Sequence, residues 1–345
     1  MRIGIGANTY EWQDSWASIP DSESARTGWA HHGVAVMESG QIITYHPGDQ
    51  TMMVFDEKGN LARSWQVELS DAHGITLVND GGQELLWIAD NGRKRQADLG
   101  YEYGGGGGAK GQVLKMDLSG KVLASLERPD LDVYREGMYS PTWVAVNEER
   151  HGGNGDVWVA DGYGQSYVHR YDDTGNYIAS INGDEGDAGR FSCPHAIFID
   201  RRGTDRGGTD RGGSDPELYV ADRANGRVQV YDLEGNYRRV FGGDFLTTPS
   251  GFATHGDLLV IAELRARLTL CGKNDEFVCY LGANDQVCDV EGWPNNKDAS
   301  GNVIPTSLLE SGKFNSPHGL AVDPQGNLYV AEWLIGGRFI RLGKV

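Results

Sequence analysis

The chain has 345 residues, of which 50 are glycine, with 15 tyrosines and nine tryptophans available to anchor a core. Its 49 acidic side chains outnumber 31 basic ones, and the resulting formal net charge of −18 repels phosphate backbones, so nucleic acid is not an expected partner. No run of about 18 apolar residues occurs to cross a membrane as a helix, and the N-terminal MRIGIGANTYEW lacks the apolar centre of a signal peptide; no membrane partner and a cytoplasmic location are expected, or secretion if a leader has been removed.

Glycine at this level, with so many aromatic residues, favours short strands joined by tight turns. A repeated block carries that pattern along the chain: a small residue or His, alternating apolar residues, a turn, then [LW]-[YW]-[VI]-A-[DE] and further short strands. A weak first copy is HHGVAVMESGQIITYHPGD (31–49), and clear copies follow at 72–92 and 140–163. The fourth joins CPHAIFID (193–200) to PELYVADRANGRVQVYDLEGN (216–236), the fifth is the weaker PSGFATHGDLLVIAEL (249–264), and the sixth is SPHGLAVDPQGNLYVAEW (316–333). Each copy predicts four strands, so the fold class is all-β, a six-bladed β-propeller occupying residues 1–345 as one domain. The sixth copy stops after its third strand, RFIRLGKV, and Arg2–Ile5 is expected to supply the missing outer strand and close the ring.

Three insertions interrupt the rhythm, at about 101–111, 201–215 and 283–313. The first two are glycine-rich; they read as flexible surface loops, with a lid over the channel as the other reading. Cys193, Cys271, Cys279 and Cys288 are too few and too irregular for a disulfide framework, and without a C-x-x-C pair they build no thiolate zinc site.

Aligning the six copies on their innermost strand puts His32, His73, Thr142, His195, Ser250 and His318 in one register position. Inner strands line the channel, so equivalent positions share one height. His73, His195 and His318 come from alternate blades, about 120° apart, as three imidazoles leaving a fourth position open would be for a catalytic zinc or another divalent transition metal. His32 is an accessory candidate, whereas His31, His151, His169 and His255 fall outside the register and read as surface or turn residues. Asp90, Asp161, Asp222, Glu263 and Glu332, with Tyr45 in the first copy, end the second strands and are expected to accept N–H groups of the following turns. Just beyond them stand His46, Tyr163, Arg223 and Trp333. Tyr163 is a candidate general acid or base and Arg223 a candidate holder of negative charge, with His46 a further accessory candidate.

With these residues the chain resembles an NHL-repeat propeller and, more closely, the catalytic domain of peptidyl-α-hydroxyglycine α-amidating lyases. The resemblance lies in AHGITL, FSCPHAIFI, FNSPHGLAV, VADGY and VADRANGR. It implies zinc on His73, His195 and His318, a catalytic tyrosine at Tyr163 and the family's second site arginine at Arg223. Two positions depart from the family. An arginine of the first blade is replaced by Pro47, in His46-Pro47-Gly48-Asp49, which puts the family's grip on a glycine-type carboxylate in question. An aspartate after the third histidine is replaced by Gly319, which puts a structural calcium in question.

The expected function is therefore a metal-dependent lyase working in the channel on a small-molecule or peptide-like substrate, by amidating-lyase-like C–N cleavage or a related elimination on a hydroxylated substrate. The alternatives are a metal-dependent hydrolase or lyase of a sugar acid or lactone, and a non-catalytic propeller that binds a protein or glycan.

Overall fold

The computed structural model describes residues 1–103, 110–202 and 215–345, so most of the two glycine-rich insertions lies outside the described residues. Six antiparallel sheets of four or five strands follow one another along the chain, as the repeats predict, and a two-stranded ribbon lies in the third insertion. Their innermost strands are Val34–Val36, Ala72–Asp80, Trp143–Val146, Pro194–Asp200, Pro249–His255 and Pro317–Val322. Second strands such as Leu328–Glu332 are buried along their whole length, because each is covered on both faces by the neighbouring blades. Outer strands such as Val122–Leu126 are exposed for most of theirs.

Turn chemistry recurs with the blades. In the last one, Asp323 Oδ1 accepts the N–H groups of Gln325 and Asn327 at 3.0 and 2.9 Å, while Gly326 takes a φ of +86° that disfavours side chains. Asp56, Asp117, Asp172 and Asp232 close the turns between third and fourth strands in the same way.

Ring closure differs from the expectation. Asn8–Gln13, not Arg2–Ile5, is the fourth strand of the sixth blade, pairing Tyr10 with Lys344 and Gln13 with Arg341. Arg2–Ile5 then hairpins back onto it as a fifth, outermost strand. Alternation decides the order: Tyr10 and Trp12 are buried and Glu11 and Gln13 exposed, the pattern of a strand packed on one face, whereas Arg2–Ile5 is mostly exposed. Trp12 packs against Phe314, ring centroids 4.8 Å apart and tilted, among the Leu281, Leu320 and Leu342 side chains. Trp12→Ala is expected to cost about 3–5 kcal/mol of folding stability, read as a lower urea midpoint with an unchanged slope.

The acidic residues ending the second strands do more than cap the turn after them. Asp90 accepts the N–H groups of Ser70 and Asp71 at 2.9 and 3.0 Å, and Asp161 that of Ser140 at 2.7 Å. Glu332 takes the N–H of Ser316 at 3.0 Å. Each carboxylate thus pins the segment entering its blade's inner strand, which is the segment that meets the channel mouth. Among the described residues no helix is long and apolar enough to cross a membrane.

Candidate metal centre in the channel

The register brings His73, His195 and His318 together as predicted, and a fourth imidazole joins them. The ligating atoms of His31, His73, His195 and His318 all lie within 4.8 Å of one another, and all four side chains are buried. His31, read from sequence as a surface or turn residue, thus belongs to the centre. His169 is also buried, but in the third blade, where it meets Tyr134 Oη and Ser180 Oγ at 2.7 Å each. His32 holds the register position without joining the cage; it contacts Thr44 Oγ1 at 3.1 Å and stacks on Phe339. His46 turns into its own loop, where Nδ1 accepts the N–H groups of Gly48 and Asp49 at 3.1 and 2.8 Å.

A ring of backbone contacts orients the three register histidines. His73 Nδ1 donates to the Thr142 carbonyl at 2.7 Å, His195 Nδ1 to that of Ser250 at 2.8 Å, and His318 Nδ1 to that of His32 at 3.2 Å. Each acceptor is the register residue of the next blade. Thr142 and Ser250 in turn donate to Pro194 and Pro317, the residues just before the next histidines, at 3.1 and 3.2 Å. At His73 and His318 the inner strands approach this closely only because glycine follows the histidine. A Cβ on Gly74 would stand 2.5 Å from Thr142 O, and one on Gly319 would stand 2.6 Å from His32 O. Position 319 therefore has no room for an aspartate.

These contacts assign the tautomers. Each Nδ1 carries the proton, which leaves every Nε2 as a lone pair facing the axis. His31 obeys the same rule through a different partner: its Nδ1 meets Asp71 Oδ2 at 3.0 Å. Burial holds all four imidazoles well below the ordinary histidine value, helped at His31 by the charges of Arg223 and Lys94. They are neutral at pH 7.

Proton accounting then fails to close with protein groups alone. Tyr163 Oη lies 3.0 Å from His31 Nε2, 3.2 Å from His73 Nε2 and 3.0 Å from His195 Nε2, while His318 Nε2 faces His73 Nε2 at 3.1 Å. One hydroxyl proton cannot satisfy four lone pairs. A cation can, and neutral imidazole Nε2 atoms with oriented Nδ1–H groups are the donor set that zinc and similar divalent transition metals take.

Arg223 Nη1 donates to Tyr163 Oη at 3.1 Å, and its guanidinium lies 5.2 Å from the Tyr163 ring. Burial raises the Tyr163 phenol above its usual value, against the opposing pull of Arg223. Asp71, which sequence reasoning missed, is pushed up to about 7 by burial. Trp333 packs at 6.0 Å from His31 and 5.3 Å from Trp29, and Trp293, from the third insertion, lies 6.0 Å from Trp333. Aromatic side chains from three separate segments therefore roof the cage.

Residues 314–333 match the NHL-repeat family model. Over 319 residues the chain is 27% identical to a Caenorhabditis elegans protein named probable peptidyl-alpha-hydroxyglycine alpha-amidating lyase, covering 87% of this chain and 79% of that one. It is 25% identical over 234 residues to human NHL repeat-containing protein 3, covering 66% and 59% of the two chains. With rat peptidylglycine alpha-amidating monooxygenase the identity is 21% over 319 residues, covering 87% of this chain and 29% of the rat protein. The chain thus spans less than two thirds of the human and rat proteins. Among solved structures, a streptogramin B lyase superposes with a TM-score of 0.56 at 13% identity, covering 97% of both chains. Virginiamycin B lyase from Staphylococcus aureus does so at 0.52 and 11%, covering 97% of this chain and all of that one. These likenesses show the propeller fold. The chain is a six-bladed propeller that matches the NHL-repeat model in its last blade and is similar in sequence to proteins named as amidating lyases.

Proposed function

We propose that the protein is a metal-dependent lyase that cleaves the C–N bond of a carbinolamide, an N-acyl α-hydroxyglycine, in the mouth of the channel. The four converging Nε2 lone pairs carry the reading, and similarity to proteins named as amidating lyases supports it.

His73, His195 and His318 would hold the metal, zinc or another divalent transition ion, since all three are fixed by backbone carbonyls. When bound there, the metal supplies Lewis-acid polarisation of a substrate oxygen. His31 has a different backing. A carboxylate behind an imidazole stabilises its protonated form, so the His31–Asp71 pair suits proton uptake rather than ligation. The Nδ1 contact with Asp71 Oδ2 fixes the His31 ring and leaves its Nε2 free to accept a proton.

The proton path follows from the contacts. The carbinol O–H breaks and its proton goes to His31 Nε2, while the oxygen becomes the carbonyl of the released aldehyde acid. As the C–N bond breaks, its electron pair stays on nitrogen, which takes the hydroxyl proton of Tyr163 and leaves as the amide. Tyr163 regains a proton from His31 across their 3.0 Å contact, and Arg223 steadies the transient phenolate from 3.1 Å. Burial keeps Tyr163 protonated at rest, as an acid requires.

Incubating the metal-loaded protein with an N-acyl α-hydroxyglycine is expected to release glyoxylate and the primary amide in equal amounts. A loaded protein that releases neither above the buffer rate would exclude C–N cleavage.

A further inference from the structure

We propose that the cavity walled by Arg93, Lys94 and Arg95, beside the histidine cage, binds the carboxylate of a small monoanionic ligand whose other end reaches the cage. The reach to the cage rests on the lyase reading above; the anion site itself does not.

Arg93-Lys94-Arg95 follows directly on the end of the second strand of the second blade, the place that delivers Tyr163 and Arg223 from the next two blades. The cavity holds about 600 Å³, and Thr27, Gln50 and Ser70 add polar groups to its wall. None of the described residues lining it is acidic, in a chain whose net charge is −18. Two of its cationic donors are buried without a hydrogen-bond partner: Lys94 Nζ and Arg95 Nε. The Lys94 ammonium has only the Tyr45 ring face, 5.1 Å away, and the Arg95 guanidinium lies 4.9 Å from the Trp29 ring while its Nη1 donates to Tyr101 O at 2.7 Å. Leaving such donors unpaired is costly, and a turn of either side chain toward the cavity would let an anion there remove the cost.

Asp71, Asp49 and Asp90 are the acidic groups that act on Lys94, and none of them accepts a hydrogen bond from it. Asp71 Oδ2 is taken by His31 and Asn91 and Asp90 by backbone N–H groups, while Asp71 Oδ1, like Lys94 Nζ, is buried without a hydrogen-bond partner. Burial pulls the Lys94 ammonium down and those three carboxylates hold it up. Carboxylates behind the cations temper their charge without cancelling it, which suits a monoanion such as a carboxylate better than a phosphate dianion.

Position ties the cavity to the cage. Ser70 lines the cavity, and its neighbour Asp71 holds His31. Arg95 lies on Trp29, Trp29 packs against Trp333, and Trp333 packs against His31. The first-blade turn offers no cation here; it carries Pro47, and Gly28 fits directly against Pro47 and Gly48. The grip on an anionic end therefore sits on the second blade.

Calorimetric titration of the full chain, stripped of metal by chelation, tests the site apart from any chemistry. N-acetylglycine is expected to bind at least tenfold more tightly than its neutral methylamide. Lys94→Met and Arg95→Gln should each weaken it tenfold or more, with thermal midpoint and zinc uptake retained. Arg93→Gln, at the half-exposed rim, should also weaken binding and serves if either buried variant fails to fold. Equal affinity for the neutral amide, no binding by the wild type, or unchanged affinity in the folded variants overturns the proposal. Inorganic phosphate binding more tightly than N-acetylglycine overturns the carboxylate assignment. Because the titration uses metal-free protein, its failure leaves the lyase assay standing, and failure of that assay leaves the titration interpretable.

Discussion

His73→Ala is expected to lower the bound metal from about one ion per chain to near zero, measured by elemental analysis of protein dialysed against trace zinc. Removing one of three ligands leaves too few imidazoles to hold the ion against water. The loss should also appear as stability. A ligand present at a thousand times its dissociation constant contributes about 4 kcal/mol to the folded state, so chelating the wild type should lower its thermal midpoint by several degrees, and chelating His73→Ala should barely move it. The cage already carries a penalty that the metal relieves, since His73 and His318 face each other through bare Nε2 atoms at 3.1 Å. His31→Ala separates the roles within the group. If His31 takes up protons, as its Asp71 partner implies, the variant keeps its metal and loses turnover. A wild type that takes up no divalent transition metal would remove the centre as described.

Tyr163→Phe is expected to lower kcat by about 10²- to 10⁴-fold, the range for loss of a general acid, with metal content unchanged and KM little affected. The substitution removes one oxygen that lies within hydrogen-bond distance of His31, His73, His195 and Arg223. Phenylalanine fills the same space, so the ring contacts with the imidazoles persist. A kcat within threefold of the wild type would take the proton path away from Tyr163. A loss of metal in this variant would instead make the phenol part of the coordination sphere.

The alternate-blade histidines were legible because a propeller turns sequence register into height along an axis, and identical backbone positions in six blades point to one place. Tyr163 and Arg223 followed from the same arithmetic at the strand ends. His31 escaped it because it lies on the segment entering the first blade, one residue before the register position, where no repeat rule governs direction. Asp71 occupies a comparable entry position, immediately before the second inner strand. Its side chain reaches His31 across 40 residues of sequence, a pairing that no local spacing encodes. Lys94 and Arg95 lie between the second copy and the first insertion, yet their signal was present: bulky residues just beyond Asp90, where later blades carry Tyr163 and Arg223. Ring closure called for a strand near the N-terminus, and the alternation of Tyr10 and Trp12, rather than position at the start of the chain, sets which one it is.

That closing strand imposes an order on biosynthesis. Tyr10 pairs with Lys344, so two neighbouring strands of one sheet leave the ribosome roughly 330 residues apart, and at about 5–20 residues per second the earlier one waits for some twenty seconds to a minute. Through that interval Tyr10 and Trp12 have no native surface to cover them, and a nascent propeller with five finished blades still offers an open sheet edge. The same joint that makes the finished ring seamless makes its assembly the stage at which chaperone contact, or pairing with a second nascent chain, competes most directly with folding.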